Sequence, residues 1–208
     1  MIKNGIDISH WNNIYNFDFI AQHTDFVILK AGGSDGKKKS QYQDVCYQEY
    51  YHELNKRGVP LGAYYFAGSN FITAEKGKED AKHFLDLLRG KKFLYPVVCD
   101  LEATAKSNKA GATEAVKTFC DMLEDAGYYA MVYASDISGF KERLYIDRLT
   151  GFDKWVARYG SDPVYVKQYG IHQYTSKGII QGIIGNVDMD QAYRDYPSIM
   201  IKKHLNNC

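Results

Sequence analysis

Short apolar runs alternate with longer amphipathic segments along most of the 208-residue chain. The runs have the length and the β-branched or aromatic content of strands, and several segments between them have helical spacing. This alternation is typical of βαβ units, which build a largely parallel sheet. We predict strands within residues 6–8, 26–30, 61–66, 95–100, 129–133, 154–157, 171–174 and 187–189, the last two from weaker patterns.

Helices are predicted between the strands, with stop and start signals at several ends. Gly58 and Pro60 form a common helix stop, and Thr73 is a candidate N-cap. The predicted helices cover residues 41–57, 73–89, 112–126 and a shorter stretch at 137–149. About eight strands suit a (β/α)8 barrel, but the chain is short for one and its last third leaves little room for helices. We therefore predict a reduced TIM-like (β/α) barrel, irregular in its last strands.

We expect residues 1–208 to form a single catalytic domain, because no Pro/Gly/Ser-rich linker and no repeat divides the chain. The barrel is expected to occupy about residues 4–193 and a short tail residues 194–208. Residues 32–40 read as a polar loop. The stretch AGGSDGKKK departs from a phosphate-binding P-loop at Ala31 and Lys38, so we interpret it as a solvated basic loop.

Charge and composition exclude several classes of protein. A formal net charge of +1 offers no basic field for nucleic acid or anionic membrane, and no apolar stretch approaches the ~18 residues of a membrane span. The four cysteines lack C-x-x-C spacing and the six histidines lack metal-site spacing, so we expect no metal and no cofactor. The N-terminus MIKNGIDIS has no signal-peptide core, and we expect synthesis in the cytoplasm.

Acidic side chains follow strands that are far apart in sequence. Asp7 ends the first strand, Asp100 and Glu102 end the apolar run YPVVC, and Asp188 lies in the last strand. Along a strand, residues i and i+2 share a face, so Asp100 and Glu102 are expected side by side. A barrel builds its active site at the carboxyl ends of its strands. A lone strand-end Asp is ordinarily a cap, but the set of four predicts convergence on one opening.

Paired carboxyl groups suit glycoside hydrolysis. One protonates the leaving oxygen, while another stabilises the cationic sugar or acts as nucleophile or base. The acid must keep its proton near neutral pH, so burial or a neighbouring negative charge must raise its pKa. We expect Asp100 to have this effect on Glu102.

Six motifs follow one another along the chain: GIDISHWN (5–12), GAYYFAG (62–68), VVCDLEAT (97–104), WVARYG (155–160), HQYTSKG (172–178) and GNVDMDQAY (185–193). In these motifs the chain resembles the muramidases of glycoside hydrolase family 25 over about residues 4–193. The resemblance implies a barrel with irregular late strands that cleaves the β-1,4 bond between N-acetylmuramic acid and N-acetylglucosamine in peptidoglycan. It implies peptidoglycan glycan strands as the partner and the bacterial cell wall as the place of action; we also expect a monomer.

The resemblance also implies roles for single residues. Glu102 matches the family's general acid, and Asp100 matches the carboxylate that stabilises the transition state or orients the substrate's acetamido group. Asp7 and Asp188 match two further acids of the cleft. Candidate substrate-binding residues, for which core filling stays an open alternative, are Tyr64, Tyr133, Trp155, Gln173 and Tyr174.

The second strand departs from the family pattern, because Lys30 is followed by Ala-Gly-Gly rather than by Ala-Thr or Ala-Ser and an acidic loop. This departure concerns contacts with the substrate more than the reaction. It leaves open a non-catalytic barrel that binds glycan or cell wall. A third hypothesis is a metal-dependent deacetylase that uses His10 or His172 beside the acids.

Overall fold

The computed structural model describes residues 1–37 and 40–208; Lys38 and Lys39, in the predicted polar loop, lie outside the described residues. The strands are β1 (Lys3–Ile8), β2 (Asn13–Ile14), β3 (Phe26–Ser34), β4 (Gln41–Gln43), β5 (Leu61–Ala67), β6 (Val97–Leu101), β7 (Ala130–Ser135), β8 (Asp153–Ala157), β9 (Ile171–Gly178), β10 (Ile183–Ile184) and β11 (Val187–Ala192). The helices are α1 (Phe17–His23), α2 (Tyr47–Asn55), α3 (Ala74–Leu88), α4 (Lys109–Asp125) and α5 (Tyr196–Lys203).

The strands β1, β3, β5, β6, β7, β8, β9 and β11 close into a barrel in that order. Neighbours from β1 to β9 are parallel, whereas β11 runs antiparallel to both β9 and β1. The prediction of a TIM-like barrel with irregular late strands is therefore confirmed. The reversal of β11 was not predicted, and it places the start of this strand, rather than its end, at the mouth of the barrel.

Two layers of buried side chains hold the barrel together. The outer layer lies between strands and helices, where Phe119 of α4 packs against Phe84 of α3 and Tyr65 of β5 at ring-centroid distances of 5.7 and 5.6 Å. The second layer fills the barrel with residues such as Phe26 and Val98 and continues to α5. Because parallel strands are buried on both faces, they appear in the sequence as continuous apolar runs.

The helix predicted over 41–57 was wrong in its first third. Gln41–Gln43 form β4, which pairs with the end of β3, and the helix begins only at Tyr47. The glycines after Lys30 permit this pairing: a Cβ on Gly32 would lie 2.2 Å from the carbonyl oxygen of Tyr42. The predicted polar loop therefore begins as strand, because β3 continues to Ser34.

Of the other three predicted helices, two are confirmed and one is wrong. The helix predicted over 73–89 is confirmed as α3, and the Thr73 hydroxyl accepts a hydrogen bond from the Lys76 N–H at 3.2 Å. The helix predicted over 112–126 is confirmed as α4. Residues 137–149 do not form one helix; they divide into a π-helical turn at Asp136–Lys141 and a 3-10 turn at Ile146–Leu149.

Residues 194–208, expected to be a short tail, contain α5 and a C-terminal segment that is anchored to the barrel by Asn206. This side chain is fully buried, accepts a hydrogen bond from the Tyr129 N–H at 2.7 Å and donates one to the Tyr95 carbonyl at 2.9 Å. Both partners border barrel strands, at the end of the barrel opposite its mouth. The segment therefore belongs to the folded domain.

We predict that Asn206→Ala lowers the free energy of unfolding by about 2–4 kcal/mol, because it leaves a buried N–H and a buried carbonyl without partners. Urea denaturation followed by circular dichroism measures this loss. Asn207→Ala is the matched control: Asn207 is exposed and has a similar left-handed backbone, with φ 64° against 56° for Asn206. Equal losses in the two variants would contradict the proposed anchor.

Candidate active site

The four predicted acids line one cavity of about 80 Å³ at the mouth of the barrel. Asp7 lies near the end of β1, Asp100 near the end of β6, Glu102 just beyond β6, and Asp188 at the second position of β11. Asp7 and Asp188 are direct cross-strand partners. The structure thus brings together side chains from both halves of the sequence.

Strand alternation explains how apolar and acidic residues share the barrel interior. On β6, Val98 belongs to the interior apolar layer, and Asp100, two residues later, occupies the same face one level higher. On β7, Met131 is likewise followed by Tyr133. The interior is therefore apolar below and polar at the mouth. Asp188 reaches the same level because β11 is reversed.

Burial raises the pKa values of both central acids, Asp100 and Glu102, whereas the expected effect of the Asp100 charge on Glu102 is not among the causes of the rise at Glu102. Burial, followed by the charge of Glu102, raises the pKa of Asp100 well above its ordinary value, and Asp100 is only 4% exposed. Burial also raises the pKa of Glu102, against the lowering effect of the cations Lys30 and Arg143. Glu102 is the more exposed of the two. The raised pKa values favour the protonated forms of both acids, and Glu102 is the member that solvent and ligands reach.

Asp7 and Asp188, the second pair of acids, lie in the same low-dielectric environment. Burial and the charge of Asp188 raise the pKa of Asp7 well above its ordinary value. Burial and the charge of Glu102 raise the pKa of Asp188 to about 6. Acids whose pKa values approach neutrality in one cleft are typical of sites that transfer protons.

A hydrogen-bond network fixes the orientation of Gln173 at the floor of the cavity. Its side-chain oxygen accepts hydrogen bonds from the hydroxyls of Tyr133 at 2.9 Å and Tyr159 at 3.0 Å. Its amide nitrogen donates to Asp7 Oδ2 at 2.7 Å. An ionised Asp7 can only accept hydrogen bonds, so the amide nitrogen of Gln173 faces Asp7 and its oxygen faces the two hydroxyls. Gln173 is only 2% exposed, so it orients Asp7 from below.

The other candidate substrate-binding residues differ in position. Tyr64 and Tyr133 line the cavity beside the acids, and Trp155, 2% exposed, forms part of its floor. The Tyr174 side chain is not part of the cavity lining, and its hydroxyl lies 3.6 Å from the sulfur of Met189. Their contacts with a substrate stay predictions.

The sequence reasoning missed several charged and polar residues of the cleft. Lys30 follows Phe26 and Ile28 on one face of β3, and its ammonium lies 4.8 Å from the ring centre of Phe66. The period-two pattern was a signal that could have identified it. An adjoining cavity of about 290 Å³ shares Glu102 and Tyr133 with the acidic one and is also lined by Ser135, Ser138, Arg143, Ala157, Arg158 and Tyr159.

Backbone contacts hold the far wall of this adjoining cavity in place. Asp136 accepts hydrogen bonds from the N–H groups of Val164 at 2.8 Å and Val166 at 2.9 Å, and it pairs with Arg158 at 3.2 Å. These bonds lower the pKa of Asp136 despite its burial. No short-range pattern predicts such a contact, because the partners lie about thirty residues apart.

Neither metal ligation nor cavity size points to a competing site. Within residues 1–37 and 40–208, no cluster of three or more His, Cys, Asp or Glu side chains has the geometry of a metal site. A larger depression of about 800 Å³ lies along α3, lined by residues such as Gln41, Asn70 and His83, and it includes none of the four acids. It is also more open, so its size reflects surface shape.

We predict that Asp100→Asn raises the free energy of unfolding at neutral pH by roughly 1–3 kcal/mol, because a buried acid with a raised pKa destabilises the fold above its unfolded pKa. The gain should vanish as the pH falls towards 3.8, the ordinary value for Asp. Thermal denaturation at several pH values measures it. The exposed Asp147→Asn serves as control and should show no such gain. A gain that is independent of pH would count against a raised pKa.

Comparisons with known proteins agree with this geometry. The chain matches the model of Glycosyl hydrolases family 25 over residues 6–183, a range that includes Asp7, Asp100 and Glu102 and ends before Asp188. It is 27% identical over 193 residues to the autolytic lysozyme of Clostridium acetobutylicum, with 90% of this chain and 55% of that protein covered. The chain thus spans about half the length of the curated relative that it matches.

Solved structures show the same architecture. The CTP1L endolysin is 26% identical, with a TM-score of 0.81 over 96% of this chain and 70% of that chain. A family 25 glycosyl hydrolase from Bacillus anthracis is 18% identical, with a TM-score of 0.78 over 98% of this chain and 93% of that one, a likeness that shows the fold alone. Because the family model matches most of the sequence, this chain belongs to glycosyl hydrolases family 25.

Proposed function

We propose that this chain is an N-acetylmuramidase that hydrolyses the β-1,4 bond between N-acetylmuramic acid and N-acetylglucosamine in peptidoglycan. The observation that carries the proposal is the gathering of four carboxyl groups around one opening, with a raised pKa at Glu102, the exposed member. Family membership and the likeness to an autolytic lysozyme support peptidoglycan as the substrate.

Glu102 acts as the general acid. Its exposure lets it reach the oxygen of the scissile bond, while its raised pKa favours the protonated form that a general acid needs. As the bond breaks, the proton moves to the leaving oxygen and the Glu102 carboxylate forms. Lys30 and Arg143 stabilise this new negative charge, because both lower the pKa of Glu102.

Asp100, Asp7 and Asp188 provide the complementary charge. The sugar ring develops positive charge at its anomeric carbon in the transition state. A carboxyl group that is ionised only with difficulty in the free enzyme gains most from this nearby cation, because burial strengthens the attraction. Asp100, deepest beside Glu102, is the principal stabilising group, and the aromatic residues Tyr64 and Tyr133 complete the wall of the cleft.

We further propose that the chain works as a monomer on the bacterial cell wall, without a nucleic-acid partner. In the part of the chain that the structure describes, no helix has the length and apolar character needed to cross a bilayer.

We predict that Glu102→Gln abolishes hydrolysis, with a loss of several orders of magnitude in kcat, because the amide cannot donate the proton. Reducing ends released from purified peptidoglycan measure the rate, and mass spectrometry of the products identifies the sugar at the new end. A melting temperature no lower than that of the parent controls for folding. Binding of cell walls by the parent protein without release of reducing ends would support the non-catalytic barrel. Acetate release that a chelator stops would support a deacetylase.

We also predict that Lys30→Met moves the alkaline limb of the kcat/KM profile to higher pH. Activity falls as Glu102 loses its proton, and removal of a nearby positive charge raises the pKa of this acid. Lys78→Met, at an exposed position of α3, is the matched control and should leave the limb in place. A limb that moves to lower pH in Lys30→Met, or does not move, would contradict the assignment.

A further inference from the structure

Asp190 is a buried acid to which the mechanism above gives no role. It lies two residues after Asp188 on the same face of β11, one level deeper in the barrel, and it is 0% exposed. Its Oδ1 atom accepts a hydrogen bond from the indole N–H of Trp155 at 2.7 Å. Its Oδ2 atom is buried and has no hydrogen-bond donor among the described residues.

The carboxyl group of Asp190 lies next to that of Asp7, close enough for a hydrogen bond once one of the two carries a proton. On the other side, Asp7 Oδ2 is occupied by the amide nitrogen of Gln173 at 2.7 Å. Two carboxylate oxygens are both acceptors, so a contact between them needs a proton. Without this proton, two negative charges would lie in buried contact, which is strongly unfavourable.

We propose that Asp190 is a positioning residue that shares a single proton with Asp7, so that the pair carries one negative charge and Asp7 presents it to the cleft. The proposal rests on the proposed function, because the cleft is where that charge acts. Asp190 itself is not among the residues that line the cavity, so the proposal gives it no direct contact with the substrate.

The environment of the pair places the proton on Asp190 rather than on Asp7. Asp190 is fully buried and has one N–H donor, whereas Asp7 is 6% exposed, receives the Gln173 amide and lines the cavity. Burial raises the pKa values of both acids, but the contacts with Gln173 and Asp190 oppose the rise at Asp7, whereas the contact with Asp7 adds to the rise at Asp190. The negative charge therefore stays on Asp7, the member nearer the sugar.

Other titratable groups face the pair from several elements, and they make the shared proton more necessary. The nearby acids would repel a second negative charge, and the tyrosines are neutral at working pH. These groups are Asp188 on β11, Asp100 and Glu102 at the end of β6, Tyr64 on β5, Tyr133 on β7, Tyr159 after β8 and Tyr174 on β9. Among the cations, Lys30 faces Asp100 and Glu102, and Arg143 faces Glu102.

The first test compares substitutions that keep or remove the shared hydrogen bond. Asp190→Asn reproduces the protonated acid: its oxygen accepts from Trp155 and its nitrogen donates to Asp7. We expect kcat to fall only a few-fold in Asp190→Asn and at least tenfold further in Asp190→Leu, with KM little changed. Asp7→Asn leaves the negative charge on Asp190, the deeper residue. Its kcat should therefore fall as far as that of Asp190→Leu. A loss in Asp190→Asn as large as in Asp7→Asn would overturn the proposal.

The second test does not depend on activity. Above the ordinary Asp pKa of 3.8, the folded parent holds a proton that the unfolded chain has lost, so its stability declines as pH rises. Asp190→Asn removes this bound proton. We expect its unfolding equilibrium constant, relative to the parent, to fall as the pH rises above 3.8, by up to about tenfold for each pH unit. Parallel stability curves would overturn the proposal.

The two tests separate failure of this proposal from failure of the proposed function. If the parent releases no reducing ends but the stability curves diverge, the shared proton stands as a property of the fold and the muramidase assignment fails. If the parent releases reducing ends and the stability curves of parent and Asp190→Asn stay parallel, the muramidase assignment stands and the proposal of a shared proton fails.

Discussion

The antiparallel pairing of β11 with β1 is the interaction on which the site depends. It closes the barrel, and its register sets Asp188 directly opposite Asp7. If β11 ran parallel to its neighbours, its first residues would lie at the opposite end of the barrel. Side chains in a strand alternate between faces, so a shift of one residue would turn both acidic positions of β11 away from the interior. The pairing that closes the barrel therefore also brings Asp188 into the cleft.

The carboxyl groups at the mouth oppose the stability of the fold. Asp7, Asp100 and Asp190 are almost fully buried, and burial is the first cause of the raised pKa of each. The apolar layer beneath them, with Phe26 stacked on Tyr95 at 4.2 Å, provides the compensating hydrophobic stabilisation. The same burial that destabilises the charged forms favours the protonated forms, so stability and the proposed function compete at the same positions.

Much of this arrangement could be predicted from local sequence, and the part that could not depends on contacts between distant residues. The apolar runs located each barrel strand, and the acids at the ends of runs located the cleft. The direction of β11 depends on its partners β1 and β9, and the failure of a helix at residues 41–46 depends on pairing with β3. Asn206 resembles an ordinary tail residue until its bonds to Tyr95 and Tyr129 are seen. No pattern within a short window contains these partners.

Asp190 illustrates why the protonation state of a residue is harder to predict from sequence than its position in the fold. Alternation along β11 puts it on the same face as Asp188, so its inward position follows from sequence once the register is known. Its protonation depends on the neighbours that each oxygen meets: an indole N–H on one side and the Asp7 carboxyl on the other. Gln173 then decides which member of the pair bears the charge, because its amide points to Asp7. Residues from β1, β8, β9 and β11 therefore determine jointly the position of one proton beneath the cleft.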